Sequence, residues 1–262
     1  MPGQLLTDEP ADGILRLTIA NPTKRNALDH AILEGIAAAV DAAHGHARCI
    51  VLTGADAMFS SGYDIGDIPD DVFAQEAEKL VAHPFTGALE ALDATDVPTV
   101  AALTGHTIGG GLELALACDL RVTHDGVRFG MPPAKLGLVY SHTGLRRFVD
   151  AIGLPHTREL FLLGRNIPAA KAVLWGLVNE VVAEEDLEAT ALEWATELAA
   201  NAPLSVAGNK QVLRALMREQ AQIPRPLERE LIDLRKACFA SDDMREGVRA
   251  FAEKRPAQWT GR

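Results

Sequence analysis

Three short apolar runs constrain this chain more than any other feature: GILRLTIA (13–20), RCIVLTG (48–54) and VPTVAALTG (97–105). Each is too short for a helix of ordinary length and is bounded by glycine or polar turn residues, so each reads as a strand. Leu15, Leu17 and Ile19 share one side of the first run. The second is apolar almost throughout, as in a strand covered on both faces. Helical patterns lie between the runs. Asp29 is placed to cap a helix reaching residue 43, with Ile32, Leu33, Ile36 and Val40 on its inner face. A second helix covers 72–93, and GGGLELALACD (109–119) supplies the helix after the third strand. Such alternation predicts an α/β fold of βαβ units with right-handed crossovers.

Beyond Ser141 the pattern becomes helical, over 142–152, 155–163, 168–175, 185–200, 203–217, 226–239 and 242–253, interrupted by LVNEVV (177–182). This divides the chain into a core at 1–200 and a helical region at 201–262. The last three helices are charged on one side and apolar on the other, a form suited to docking on another subunit.

With 262 residues, a substantial core can be buried. A net charge of −11 argues against a nucleic-acid-binding face but leaves room for a local basic patch that holds an anion. Three scattered cysteines, Cys49, Cys118 and Cys238, fit reduced thiols. MPGQLLTDEPADG lacks the form of a signal peptide. The uncharged run 97–112 is too short to span a membrane and holds Pro98 and four glycines. A cytoplasmic protein with no membrane or nucleic-acid partner is expected. Eight histidines show no metal-ligand spacing, so no metal is expected. His106 precedes the glycines, where it could line the pocket, but a satisfied core histidine is the preferred reading.

The glycines of 109–111 admit two readings. They fit a tight turn or close packing. They also fit a helix N-terminus whose uncovered amides hold an anion or an oxygen that turns negative during reaction. The spacing matches neither known phosphate loop, and no nucleophile elbow is present. Glu113 follows among Leu112, Leu114, Ala115, Leu116 and Ala117, apolar on every side of a helix. Buried there, it is either bonded to Arg or backbone or works as a general acid or base with a raised pKa. FSSGYDIGD (59–67) also follows a strand and sets Gly before a helix start, so two loops can aim two amides at one oxygen.

Several segments together resemble the crotonase superfamily of enoyl-CoA hydratases and isomerases: NPTKRNALD (21–29), IVLTGADAMFSSGYDIGD (50–67), TGHTIGGGLELALACDLRV (104–122), FGMPPAKLGL (129–138), IPAAKAVLWGLVNEVV (167–182), NAPLSVAGNKQVL (201–213) and EGVRAFAEKRPAQW (246–259). The resemblance implies a ββα spiral with a helical C-terminal region that mediates trimers, often paired into hexamers. It implies an acyl-CoA substrate and no cofactor beyond that coenzyme A. By position, the amides of Tyr63 and Gly110 would polarise the thioester carbonyl and stabilise an enolate. Glu113 would be one of two acid/base glutamates. Ser61, Asp64 and Ile65 match the adenine pocket. Lys24, Arg25 and Ala27 match the turn beside the phosphates. Phe251 and Lys254 match C-terminal positions that reach the nucleotide.

The pattern breaks at three places. Pro133 occupies the position of the second hydratase glutamate and cannot transfer a proton. Tyr63 replaces a small residue and narrows the acyl pocket. Tyr140, in GLVYSHTG (137–144), replaces a glycine-rich loop. These departures resemble the methylmalonyl-CoA decarboxylase branch, where Tyr140 would orient the leaving carboxylate or a protonating water. Hydratase or isomerase chemistry at Glu113 is the leading expectation. Decarboxylation of a short malonyl-CoA and non-catalytic binding of a CoA ester are the alternatives.

Overall fold

The computed structural model describes residues 3–64, 76, 78–79, 81–220 and 223–261. Two sheets organise it. The larger has six strands in the order β1-β2-β3-β5-β7-β10: β1 (Gln4–Ala11), β2 (Ile14–Ala20), β3 (Cys49–Gly54), β5 (Thr99–Leu103), β7 (Leu120–His124) and β10 (Glu180–Val182). The smaller has four short strands in the order β4-β6-β8-β9: β4 (Met58–Ser60), β6 (His106–Ile108), β8 (Arg128–Gly130) and β9 (Ile167–Pro168). Successive pairs β3–β4, β5–β6 and β7–β8 each give one strand to each sheet. That repeat is the expected spiral of ββα turns. All pairings are parallel except β1–β2 and β8–β9.

The helices fill the spaces that the apolar pattern demanded. Helix α1 (His30–Ala42) begins where Asp29 Oδ1 accepts the amide of Ile32 at 3.0 Å, and it buries Ile32, Leu33, Ile36 and Val40. Helix α2 (Thr86–Ala94) follows a π-helical turn at Val81–Phe85, and the beginning of the expected 72–93 helix lies outside the described residues. Helix α3 (Gly110–Ala117) is buried along its whole length. Helix α4 (His142–Leu163) has a break at Gly153 (φ 73°, ψ 161°), two residues before Pro155, so the two expected helices meet at a kink. Helices α5 (Ala169–Leu174), α6 (Leu187–Ala200), α7 (Pro203–Gln220), α8 (Arg225–Phe239) and α9 (Asp242–Ala252) complete the chain.

The main core lies between α1, α2, α3 and one face of the large sheet, with Ile50, Leu52, Ala101 and Leu103 pointing into it. Cys49, Val51, Val100 and Ala102 point to the other face, under α6. Burial pushes the thiols of Cys49 and Cys118 up to about 12, which keeps both protonated and unreactive. Helix α7 is tied down by polar contacts: Lys210 to Asp119 at 2.6 Å, Gln211 to Asp96 at 2.9 Å, and Arg214 to Asp96. Its Leu204, Val212, Leu213 and Leu216 remain exposed.

Several elements differ from the sequence reading. Strand β1 was not anticipated, because it is a largely exposed strand paired on one side only and has no apolar period. The run 97–105 holds β5 alone, and a separate, unanticipated β6 follows directly after Gly105, which brings the chain against the backbone of Ala57. His106 is not a core histidine. It is exposed on β6, and its Nδ1 accepts the amide of Arg128 at 3.2 Å. Among the described residues no helix is long and apolar enough to cross a membrane, and no cluster of His, Cys, Asp and Glu could hold a metal.

Asp29 also accepts the amide of Gly3 through Oδ2 at 2.7 Å, so one carboxylate caps α1 and anchors the start of the chain. Asp29→Ala is expected to lower unfolding free energy by about 1–2 kcal/mol. Urea denaturation followed by circular dichroism checks this.

Candidate active site

Parallel pairing of β4 with β6 brings the site together. Met58 lies opposite His106 and Ser60 opposite Thr107, so both strands run out at the same end. The chain then leaves β4 through Ser61-Gly62-Tyr63 and β6 through Gly109-Gly110. The two exits touch. A Cβ on Gly62, whose φ is +98°, would lie 3.1 Å from the carbonyl oxygen of Ile108 and 3.3 Å from the amide nitrogen of Gly110. Only glycine takes both this conformation and this approach without strain. Gly109, at φ +58°, turns the chain into α3, and its amide donates to Gly130 at 2.9 Å. Among the described residues, the amides of Tyr63 and Gly110 have no acceptor. Gly110 opens α3, where an uncovered amide and the helix dipole both favour negative charge.

Glu113 sits in the first turn of that helix and is 1% exposed. Its Oε2 accepts the hydroxyl of Tyr140 at 2.5 Å. The Tyr140 oxygen lies 3.2 Å from the hydroxyl of Tyr63. Two edge-on ring contacts fix the tyrosines: Phe85 against Tyr63 at 4.7 Å and Phe161 against Tyr140 at 5.4 Å. The ring of Tyr63 also covers Gly110, where an added Cβ would lie 2.5 Å from Tyr63 Cε1. Gly144 is equally constrained. A Cβ there would lie 2.6 Å from Tyr140 Cε1 and 2.8 Å from Glu113 Oε1.

Burial pushes the Glu113 carboxyl above its usual range, and the Tyr140 hydrogen bond opposes that shift. The positive charge of Arg147 opposes it more weakly. Arg147 is itself held by Asp93 through two bonds of 2.9 and 2.7 Å. Both phenols are pushed well up, first by burial and then by the charge of Glu113.

The remaining expected site residues fall into two groups. Lys24 Nζ meets both carboxylate oxygens of Asp64 at 3.0 and 2.8 Å, and Ser61 Oγ donates to the Lys24 carbonyl at 3.1 Å. Arg25 is exposed in a left-handed conformation, and Ala27 is buried beside it. The 24–28 and 61–64 segments thus form one wall next to the two free amides. Ile65 lies outside the described residues. Phe251 and Lys254 are exposed at the end of α9, and among the described residues neither makes a hydrogen bond or ring contact with that wall. Pro133 is buried at the start of a 3-10 turn, Pro133–Lys135. The sequence reading did not single out Arg147, Asp93 or Gly144. Arg147 and Asp93 are 54 positions apart and carry no motif. A separate cavity of about 390 Å³ lies across the large sheet under α6. Its charged lining residues, Arg16 and Glu188, are paired with each other.

Residues 9–262 match the family described as enoyl-CoA hydratase/isomerase. The chain belongs to that family. It is 34% identical to the carnitinyl-CoA dehydratase of Salmonella typhi over 219 residues, covering 81% of each chain. With the Citrobacter koseri protein of the same name the identity is 35% over the same length. Among solved structures it resembles a methylmalonyl-CoA decarboxylase in complex with 2-nitronate-propionyl-CoA, at TM-score 0.90 and 25% identity over 99% of both chains. It also resembles an enoyl-CoA hydratase/isomerase from Pseudoalteromonas atlantica T6c, at TM-score 0.84 and 26% identity over 98% of this chain and 100% of the other. These matches establish the crotonase fold and the superfamily, including the likeness to the decarboxylase branch.

The raised Glu113 carboxyl has a consequence for stability. The unfolded chain gives up this proton near 4.5, and the folded chain holds it to higher pH. The stability it contributes is complete below 4.5 and is lost as pH rises through the folded value. Glu113→Gln removes that loss. Thermal melts between pH 4 and 8 should show the parent falling progressively below the variant as pH rises, whereas parallel curves would contradict a perturbed carboxyl.

Proposed function

We propose that this protein is an enzyme that binds a coenzyme A thioester, holds its carbonyl oxygen between the amides of Tyr63 and Gly110, and releases carbon dioxide from a short malonyl-type acyl group. One observation carries the choice of reaction. A single acid-bearing line, Tyr63–Tyr140–Glu113, adjoins the two free amides, while Pro133 stands where hydration calls for a second carboxylate. Decarboxylation leaves an enolate, which needs oxyanion donors and one proton. A buried carboxylate would repel a substrate carboxylate, but burial favours the neutral form of Glu113 and its Oε2 is engaged by Tyr140. The likeness to a methylmalonyl-CoA decarboxylase supports this reading.

The identity with carnitinyl-CoA dehydratases favours a second reading, in which Glu113 alone supports addition or removal of water. In either reading, Lys24, Arg25, Ala27, Ser61 and Asp64 line the nucleotide end of the substrate. Phe251 and Lys254 contribute from a neighbouring subunit, and the exposed apolar side of α7 is covered in a homotrimer or a pair of trimers. No cofactor is needed beyond the coenzyme A of the substrate.

Mass spectrometry of a reaction offered crotonyl-CoA and methylmalonyl-CoA together separates the readings. Propionyl-CoA is the expected product. A product one water heavier than crotonyl-CoA supports the second reading, and tight binding with no product rejects both. Multi-angle light scattering should report three or six copies per particle. A monomer would overturn the oligomeric assignment.

A further inference from the structure

The hydroxyl groups beside Glu113 form a line with a direction. Tyr140 has one hydroxyl proton and donates it to Glu113 Oε2 at 2.5 Å. Its oxygen is therefore the acceptor for Tyr63, 3.2 Å away. Exposure rises along the line. Glu113 is 1% exposed and Tyr140 7%, while Tyr63 is only partly buried. The hydroxyl at the far end of the line from Glu113 belongs to the residue whose ring covers Gly110 and whose amide is one of the two without an acceptor. Phe85 and Phe161 hold the two rings in place.

The protonation state of Glu113 sets the direction of the line. Beside a carboxylate, Tyr140 donates inward and so does Tyr63. Beside a carboxylic acid, both bonds can reverse: Glu113 donates to Tyr140, Tyr140 donates to Tyr63, and the Tyr63 proton points outward.

We propose that Tyr63 is a catalytic residue whose hydroxyl delivers the proton to the α-carbon of the thioester enolate, with Tyr140 and Glu113 as positioning groups that refill it. This rests on the enolate reading above. The electron pair of the enolate forms the new C–H bond, the thioester carbonyl re-forms, and the Tyr63 O–H bond breaks. The Tyr63 oxygen takes the proton of Tyr140, and Tyr140 takes that of Glu113. The net change is one proton moved from Glu113 to carbon. The resulting carboxylate regains a proton from water after product leaves.

Exchange of the α-protons of propionyl-CoA in deuterium oxide reads this step in reverse, and mass spectrometry follows it. Calorimetry gives the affinity for propionyl-CoA in parallel. Tyr63→Phe keeps the ring on Gly110 and removes only the hydroxyl. It is expected to slow exchange at saturating substrate by about 100-fold or more, with affinity within about threefold of the parent. Tyr140→Phe should do the same. The double variant should be no slower than either single variant, because the groups act in series. Exchange at the parental rate in Tyr63→Phe would overturn the proposal. If Glu113→Gln lost exchange in that case, Glu113 would be acting on the substrate directly. Weakened affinity with an unchanged saturated rate would make Tyr63 a packing residue and overturn the proposal equally. A parent that binds propionyl-CoA but neither exchanges its protons nor turns over either test substrate would remove the enolate reading, and the relay with it.

Discussion

The close approach of two backbones at the end of the small sheet is the constraint on which the site depends. Strands β4 and β6 have only three residues each, yet their parallel pairing makes two chain segments end side by side. Gly62 then lies against the carbonyl of Ile108 and the amide of Gly110. A side chain at position 62 would part the strands and carry the amides of Tyr63 and Gly110 away from each other. The glycines matter here because they allow contact and positive φ at one point, not because the segment is pliable.

Around this contact the protein places a carboxyl group at high electrostatic cost. Glu113 lies in a helix with every residue buried, and an isolated charge there is unfavourable. Three features offset the cost: the short bond from Tyr140, the field of Arg147, and the tendency of the group to keep its proton. Arg147 is committed to Asp93, so it acts on Glu113 through space and not as a partner. The carboxyl therefore remains able to change protonation state, which a direct Arg–Glu pair would suppress. Gly144 completes the arrangement by leaving room for Tyr140 and Glu113 to meet.

The two sheet faces divide these tasks. One face packs α1, α2 and α3 into the large core and carries the site. The other packs α6 over a second, smaller cluster. Helices α7 to α9 attach later in the chain through ion pairs such as Lys210–Asp119 and Arg235–Glu78. This leaves apolar side chains of α7 facing outward.

Local features were fully legible in the sequence. The Asp29 cap, the inner face of α1, the interruption of helix before Pro155 and the burial of Glu113 each follow from neighbours within a turn or two, where periodicity and capping operate. The breaks at Tyr63, Pro133 and Tyr140 were also visible, because a departure from a family pattern shows in the residue itself. Strand β1 and the three-residue strands β4, β6 and β8 were not visible, since they carry no period long enough to read and exist only through their partners. His106 was misread for the same reason: the short strand β6 that exposes it exists only through its pairing with β4 and β8. The sequence alone thus determined the α/β class, the buried acid and the two glycine-bearing loops. Only the tertiary structure decided that Tyr63, Tyr140 and Glu113 form one hydrogen-bonded line. Tyr63 and Tyr140 are 77 positions apart, and the contact is made by strand pairing and ring packing, which no local pattern encodes.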